Sequence, residues 1–131
     1  MSSDTGPGAH ERGDIDATFD ALADETRRLL LYFLREHETA TLDTLADVLT
    51  GWRAVRDDRE PTTEHRDRLY ARLYHVHVPR LADSSMVTFD ADAERVRLAP
   101  LSEPLARLLD EAFDLEPGVT EEWLATADGE P

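Results

Sequence analysis

The chain has 131 residues, and its 29 acidic residues outnumber its 14 basic ones, so that the formal charge at pH 7 is -15. It contains no cysteine, which excludes disulfides, zinc ribbons and thiol catalysis. The length predicts one domain with tails, and no apolar run approaches the roughly 20 residues of a membrane span. Because the N-terminus also lacks the apolar core of a signal peptide, we expect a cytoplasmic protein without membrane contact.

The acidity is interpreted as an adaptation to high salt. All 14 basic residues are arginine and none is lysine. In dilute buffer the surplus negative charge would destabilise the compact state, whereas at about 1 M salt the Debye length falls to about 3 Å and the repulsion is screened. Strong acidity can also accompany disorder, but 40% of the residues are hydrophobic and recur in periodic patterns. We therefore expect a folded protein from a halophile.

Three helices are predicted in the first half of the chain. Residues 1–14 are polar and are predicted to form a disordered leader. Asp16 is expected to cap the first helix, and Asp24 to cap the second, whose sequence ETRRLLLYFLREHE is rich in leucine. Thr41 is expected to cap the third helix, LDTLADVLTGW.

A fourth, longer helix is predicted over EHRDRLYARLYHVHVPRLADS, with Thr62 or Thr63 as its cap. Pro79 lies inside this pattern and is expected to kink the helix or to end it early. The predicted core positions of this helix are Leu69, Leu73 and Val76, which share one face. One turn later the same face is expected to continue near Arg80 and Leu81.

The period then changes from helical to alternating. MVTFD and ERVRLAP, joined by DADA, predict a two-stranded hairpin. Ser102 and Pro104 are expected to start a last helix, and residues 114–131 are predicted to form an acidic tail.

The order of these elements predicts the fold class. It is mainly α with a small β-hairpin, which is the winged helix-turn-helix plan with a reading helix followed by a wing. The domain is predicted to span residues 15–113, including the C-terminal helix.

Two stretches carry a resemblance to known families. FDALADETRRLLLYFLRE (19–36) resembles the opening of ArsR-like winged-helix repressors. Residues 19–98 resemble a haloarchaeal winged helix-turn-helix domain family of unknown function, with RR…LYFL early and LYHVHVPRL…MVTFD late. The resemblance implies a winged-helix fold and a relationship to transcriptional regulators. Metal-sensing ArsR members carry a cysteine motif that this chain lacks.

The long helix carries the candidate DNA-binding residues. At 100° per residue, Arg68, Arg72 and His75 lie opposite the apolar stripe, as in a recognition helix, and arginine pairs bidentately with guanine or phosphate. The alternative is a solvated face with ion pairs to Asp67 or Glu64. The full candidate set also takes in a further helix arginine and two arginines on one face of the hairpin strand: Arg66, Arg68, Arg72, His75, Arg95 and Arg97.

The distribution of charge supports the same helix. Residues 52–81 hold seven arginines and five acids, whereas residues 101–131 hold nine acids and one arginine. The basic region therefore coincides with the predicted reading helix and its approach.

A metal or catalytic role is not predicted. On a helix His75 and His77 diverge by about 200° and cannot share one ion, so we expect His75 to be exposed and His77 to be largely buried. Ser84 and Ser85 have no accompanying His/Asp arrangement, and no glycine-rich phosphate loop is present. We therefore expect no enzyme, no metal and no cofactor.

Two functions remain open. The first is a DNA-binding transcriptional regulator that binds double-stranded DNA as a homodimer through its first and last helices. The alternative is a winged-helix protein-protein interaction module without DNA binding, which would use leucine and tyrosine surface, the acidic tail and the regions around Trp52, Tyr70 and Trp123.

Overall fold

The structure, a computed structural model, describes residues 7–120 and 124–125, with side chains from residue 15 onward. Six α-helices, one π turn and three short strands follow one another in this part of the chain: α1 (Pro7–Leu22), α2 (Glu25–His37), β1 (Thr39–Thr41), α3 (Leu42–Arg56), α4 (Thr63–Arg72), the π turn (Leu73–His77), α5 (Val78–Asp83), β2 (Val87–Asp90), β3 (Arg95–Leu98) and α6 (Glu103–Leu115).

Four of the predicted helix starts are confirmed by side-chain caps. At each start an oxygen accepts a hydrogen bond from the backbone N–H three residues later, which satisfies an amide without a helical partner. The caps are Asp24 before α2, Thr41 before α3, Thr62 before α4 and Ser102 before α6.

The start of the first helix differs from the prediction. α1 begins at Pro7, so Asp16 lies inside the helix instead of capping it, and residues 7–14 of the predicted leader are helical. Proline is compatible with a first helical position because its missing N–H would have no partner there. Residues 1–6 of the leader lie outside the described part.

The core is built around α2, whose residues Leu29–Leu34 are all buried. A helix with apolar residues on every side is expected to pack against several elements at once. Here Tyr32 meets Phe113 of α6 edge to face at 5.3 Å, while Leu42, Leu45 and Leu49 of α3 belong to the same core cluster.

The predicted hairpin is confirmed, but the sheet has a third strand. β3 lies between β2 and β1, and all pairs are antiparallel. Val96 is buried between Ala40 of β1 and Phe89 of β2 in this register. β1 was not predicted, because three residues between two helices are too short for an alternating pattern to emerge.

The long helix continues through Pro79, so the predicted early end is wrong, and a π turn directly precedes the proline. α4, the π turn and α5 follow without a break, and the amide of Val78 bonds to the carbonyl of Leu73, five residues earlier. A π turn inserts an extra residue into the helical ladder. It lets buried positions recur every four residues across several turns: Leu69, Leu73, His77 and Leu81.

The expected core position of Val76 is therefore wrong in detail. Val76 is half-buried and Arg80 is exposed, whereas Val78 and Leu81 are buried. The wider turn shifts the face that meets the core, so a regular period of 3.6 residues assigns the wrong valine.

Part of the predicted acidic tail packs onto the domain. Glu116 contacts Arg28 and Tyr32, the carbonyl of Gly118 accepts a hydrogen bond from Trp52 Nε1, and Val119 and Leu124 are buried. The apolar residues in this segment are too few to form a periodic pattern, which is why the sequence suggested a tail.

The architecture is mainly helical with a small three-stranded antiparallel sheet, and it is of the winged-helix type. Within residues 7–120 and 124–125, none of the helices combines the length and hydropathy required to cross a bilayer.

Candidate nucleic-acid interface

Two of the predicted DNA-binding residues lie at the same cavity. Arg68 and Arg72 of α4 line a cavity of about 200 Å³ beside the C-terminal part of α3. Residues from α3, the connecting loop and α4 complete its wall: Thr50, Arg53, Ala54, Arg59, Pro61, His65 and Leu69.

The loop after α3 brings Arg59 to this cavity. Asp57 closes the helix, and Asp58 adopts a left-handed φ of 54°, a conformation that aspartate tolerates better than most residues. The chain then turns back, and the amide of Arg59 bonds to the carbonyl of Ala54 at 2.9 Å. Arg59 is therefore returned toward the helix that precedes it.

The arginines of the cavity have few strong ion pairs. Arg68 lies 3.9 Å from Glu64 and Arg59 lies 3.7 Å from Asp57, distances too long for good hydrogen bonds. Arg72 has no ion pair with any described residue. Their positive charges are thus little compensated by the protein, in a chain whose net charge is strongly negative.

Arg66 is placed on a different side of α4. Its guanidinium contacts the carboxylates of Asp43 at 2.7 Å and Asp47 at 2.8 Å on α3, and it lies over the ring of Tyr70. The hydrogen bonds to the two carboxylates raise the pKa of Arg66. The structure therefore ties this predicted site residue to α3.

His75 is exposed, as predicted, and stands apart from the cavity. It lines a separate depression that also includes Asp20, Pro79 and Arg80, and Arg80 pairs with Asp20 at 2.7 Å. The predicted burial of His77 is also confirmed, at 2% exposure. The two histidines thus face different environments, and His75 and Arg72 line different depressions.

The two wing arginines share the exposed face of β3. Arg97 lies between Thr39 and Thr88, while Arg95 is paired with Thr41 and Asp90 across the neighbouring strands. Neither arginine forms an ion pair within the described part of the chain. The hairpin tip beyond them is acidic, with Asp90, Asp92 and Glu94.

Two tyrosines connect α4 and the π turn to the β2–β3 hairpin. The Tyr70 hydroxyl donates a hydrogen bond to Glu94 Oε1, which, with burial as a smaller contribution, raises the pKa of Tyr70 to about 12. Tyr74 packs edge to face on Phe89 of β2, with ring centroids 5.9 Å apart. These contacts connect the hairpin to α4 and to the π turn that follows it.

The cavity as a whole was missed at the sequence level. Arg53 and Arg59 were counted only toward the local charge, and Thr50 and His65 were not connected with them. A usable signal exists, since Thr50 and Arg53 are three residues apart on one helix, as are His65 and Arg68 on the next. Only the packing of α3 against α4 brings the two pairs together.

The three aromatic residues named for the alternative, a protein-protein interaction module, differ in their exposure. Trp52 is buried at 4% exposure, Tyr70 is half-buried, and Trp123 lies outside the described residues. No group of three or more His, Asp or Glu side chains in the described part is arranged to hold a metal ion.

A comparison with protein families matched residues 19–97 to the family described as Domain of unknown function (DUF7344). Comparisons with curated proteins and with solved structures gave no match. Since the family match spans more than half of the residues, the chain belongs to this family of domains of unknown function.

Proposed function

We propose that the chain is a DNA-binding winged-helix protein, a transcriptional regulator in the cytoplasm of a halophilic archaeon, related to ArsR-like regulators. One observation carries the proposal: α4 and β3 carry exposed arginines that form few ion pairs with carboxylates of the protein. They are Arg68 and Arg72 on α4 and Arg95 and Arg97 on β3. A helix and a hairpin that carry arginine side by side match the parts with which winged helices contact the major groove and the adjacent backbone.

The charge of the chain sets the conditions for this binding. A protein with a net charge of -15 is repelled by DNA in dilute buffer, and at molar salt the affinity from counterion release is small. Specific binding would therefore depend on direct bidentate contacts from arginine to guanine and phosphate. We expect an affinity that changes less with salt than that of a basic DNA-binding domain.

We further propose that two copies pair through α1 and α6. Ile15 and Phe19 of α1 are 55% and 58% exposed. With Pro104, Leu105 and Leu108 of α6 they line an apolar groove of about 240 Å³. An exposed apolar surface of this kind favours a protein contact, and a symmetric pair would bury the same surface on both copies.

The DNA proposal is tested with duplexes selected from random oligonucleotides in about 1 M KCl, measured by fluorescence anisotropy. Replacing Arg68 and Arg72 together by alanine should abolish binding, and Arg95→Ala with Arg97→Ala should weaken it about tenfold or more. Arg107→Ala is the matched control, because Arg107 is an exposed arginine on α6, away from the proposed face.

Recovery of no sequence motif, or undiminished binding by both double variants, would contradict the proposal. The acidic hairpin tip favours the alternative of a protein-protein interaction module without DNA binding. In that case a pull-down in high salt should recover a stoichiometric protein partner whose retention is lost when Asp90 and Asp92 are changed to asparagine.

A further inference from the structure

Three of the residues that line the arginine-lined cavity each have a buried polar atom that the protein leaves without a hydrogen bond. Among the described residues, the buried side-chain nitrogen and oxygen atoms without a partner are Thr50 Oγ1, Arg53 Nε and His65 Nδ1. All three of these side chains line this one cavity. Thr50 is only 7% exposed, so its hydroxyl has little access to bulk water. An unsatisfied buried polar group is costly, and three at one cavity point to a ligand.

The chemistry of these atoms specifies what the ligand must offer. A hydroxyl and a guanidinium Nε–H are donors, and a histidine ring nitrogen donates in one tautomer or when protonated. Arg53 is held in place from its other end, because its Nη2 donates to Thr26 Oγ1. Arg53 is thereby fixed at the edge of the cavity that it lines. The ligand must therefore present several acceptor atoms.

The charge of the cavity specifies the sign of the ligand. Four of the chain's 14 arginines line it, and none of the lining residues is acidic. Like charges gathered at one site repel each other unless an anion neutralises them. Their effect reaches a neighbouring group: burial is the main cause that lowers the pKa of His77, and the charges of Arg72 and Arg53 add smaller contributions. In a chain this acidic, such an uncompensated basic site requires an explanation.

We propose that this cavity binds one phosphate-class oxyanion, held by the guanidinium groups of Arg53, Arg59, Arg68 and Arg72 and by the hydroxyl of Thr50. Arginine forms paired N–H···O bonds with phosphate oxygens. The volume of about 200 Å³ is below the roughly 300–1,000 Å³ of pockets for drug-sized ligands, which fits a phosphate group with a few waters.

The phosphate can come from two sources, the DNA backbone or a free phosphorylated small molecule. The inference goes beyond the proposed DNA binding, because a free anion would occupy the site with no DNA present. The two proposals are connected, since Arg68 and Arg72 belong both to the cavity and to the proposed DNA-binding face. A free anion would then compete for these two arginines with DNA.

The test follows the Arg53 Nε–H signal by ¹⁵N NMR while inorganic phosphate, and then sulfate, is titrated into the full chain at constant KCl. We expect a saturable shift of this signal. Arg59→Gln, on an exposed loop, should weaken phosphate binding about tenfold. Thr50→Val, which keeps the side-chain shape, should also weaken it while leaving the thermal midpoint without phosphate no lower. Arg107→Gln should change nothing.

Adding duplex DNA distinguishes the two sources. If duplex DNA alone shifts the Arg53 Nε–H signal as phosphate does, the DNA backbone supplies the anion. If DNA binds without shifting this signal, the site takes a free anion. No saturable shift with phosphate, sulfate or DNA would overturn the proposal, and so would an equal response in Arg59→Gln. Arg95 and Arg97 lie outside the cavity. Their double variant therefore tests the proposed DNA binding separately from the proposed anion site.

Discussion

The guanidinium of Arg27 donates a hydrogen bond from Nη1 to Nδ1 of His77 across 3.2 Å, in the interior of the domain. The same guanidinium donates to the carbonyls of Ala21 at 2.9 Å and Asp20 at 2.8 Å. One side chain of α2 thus connects the end of α1 to the π turn. Since the arginine is always a donor, this bond requires an unprotonated Nδ1 on His77.

The first prediction concerns the pH dependence of stability. Burial lowers the pKa of His77 from 6.5 to about 4, and the charge of Arg27 adds to this lowering while Asp24 opposes it. Between these two values the unfolded chain binds a proton that the folded protein does not. The free energy of unfolding should therefore fall as the pH falls from about 6.5 to about 4, by on the order of 3 kcal/mol from this residue.

Denaturant unfolding at a series of pH values measures this contribution. His77→Gln keeps an acceptor for Arg27 but does not titrate, so it should show a weaker dependence on pH over the same window. His75→Gln is the matched control, being an exposed histidine on the same turn, and it should retain the native dependence. Equal slopes for the wild type and His77→Gln would contradict the assignment.

The second prediction concerns Glu116, which lies just after α6. Its carboxylate accepts hydrogen bonds from Arg28 Nε at 2.6 Å and Nη2 at 3.1 Å, and another from the Tyr32 hydroxyl at 2.8 Å. Burial alone would raise the pKa of Glu116, but the bonds from Arg28 and Tyr32 together lower it. Glu116→Gln should reduce the free energy of unfolding by about 2 kcal/mol, measured in urea at pH 7.

Asp110→Asn provides the comparison for this variant. Asp110 also pairs with an α2 arginine, Arg35, at 2.6 Å, but its side chain is 66% exposed, against 7% for Glu116. Because exposed ion pairs contribute little, its loss should change stability by less than about 1 kcal/mol. A larger effect for Asp110→Asn than for Glu116→Gln would show that burial does not determine the strength of these pairs.

The third prediction contrasts two glycines. Gly118 has a φ of 80°, which costs any residue with a Cβ atom about 1 kcal/mol, so Gly118→Ala should destabilise the protein by that amount. Gly51 lies within α3, and a Cβ added there meets nothing within 4 Å. Gly51→Ala should therefore stabilise the helix by about 0.5–1 kcal/mol. Thermal unfolding of both variants checks the opposite signs.

The fourth prediction concerns the proposed pairing of α1 with α6. Phe19→Asp should convert a dimer to a monomer in light scattering at about 1 M KCl, because a charge would be placed in the apolar groove. Val55→Asp is the control, since Val55 is 83% exposed on α3 and away from the groove. A wild type that is monomeric at high concentration would refute the pairing.

The sequence predicts those parts of the fold that depend on neighbouring residues. The caps Asp24, Thr41 and Thr62 act within three residues of themselves, and the hairpin follows from its own alternation. The strand at Thr39–Thr41 and the packing of Glu116 depend on partners more than fifty residues away. No local pattern encodes such contacts, which is why both were missed.

The features of the candidate site also separate into those that local sequence predicts and those that depend on distant packing. The exposure of Arg68, Arg72 and His75 follows from helical geometry and was predicted. That Arg66 is held by two carboxylates of α3, and that Arg53 and Arg59 meet Arg68, depends on how two helices cross. The charge count could indicate a basic region, but it could not separate the paired arginines from the unpaired ones.

The π turn also separates two parts of the long helix that contact different neighbours. Before it, the ten residues of α4 form a helical segment about 15 Å long. Beyond it, Arg80 of α5 donates a hydrogen bond to Asp20 at the end of α1. The helix therefore divides into two segments, one that pairs with α3 through Arg66 and one that pairs with the end of α1 through Arg80.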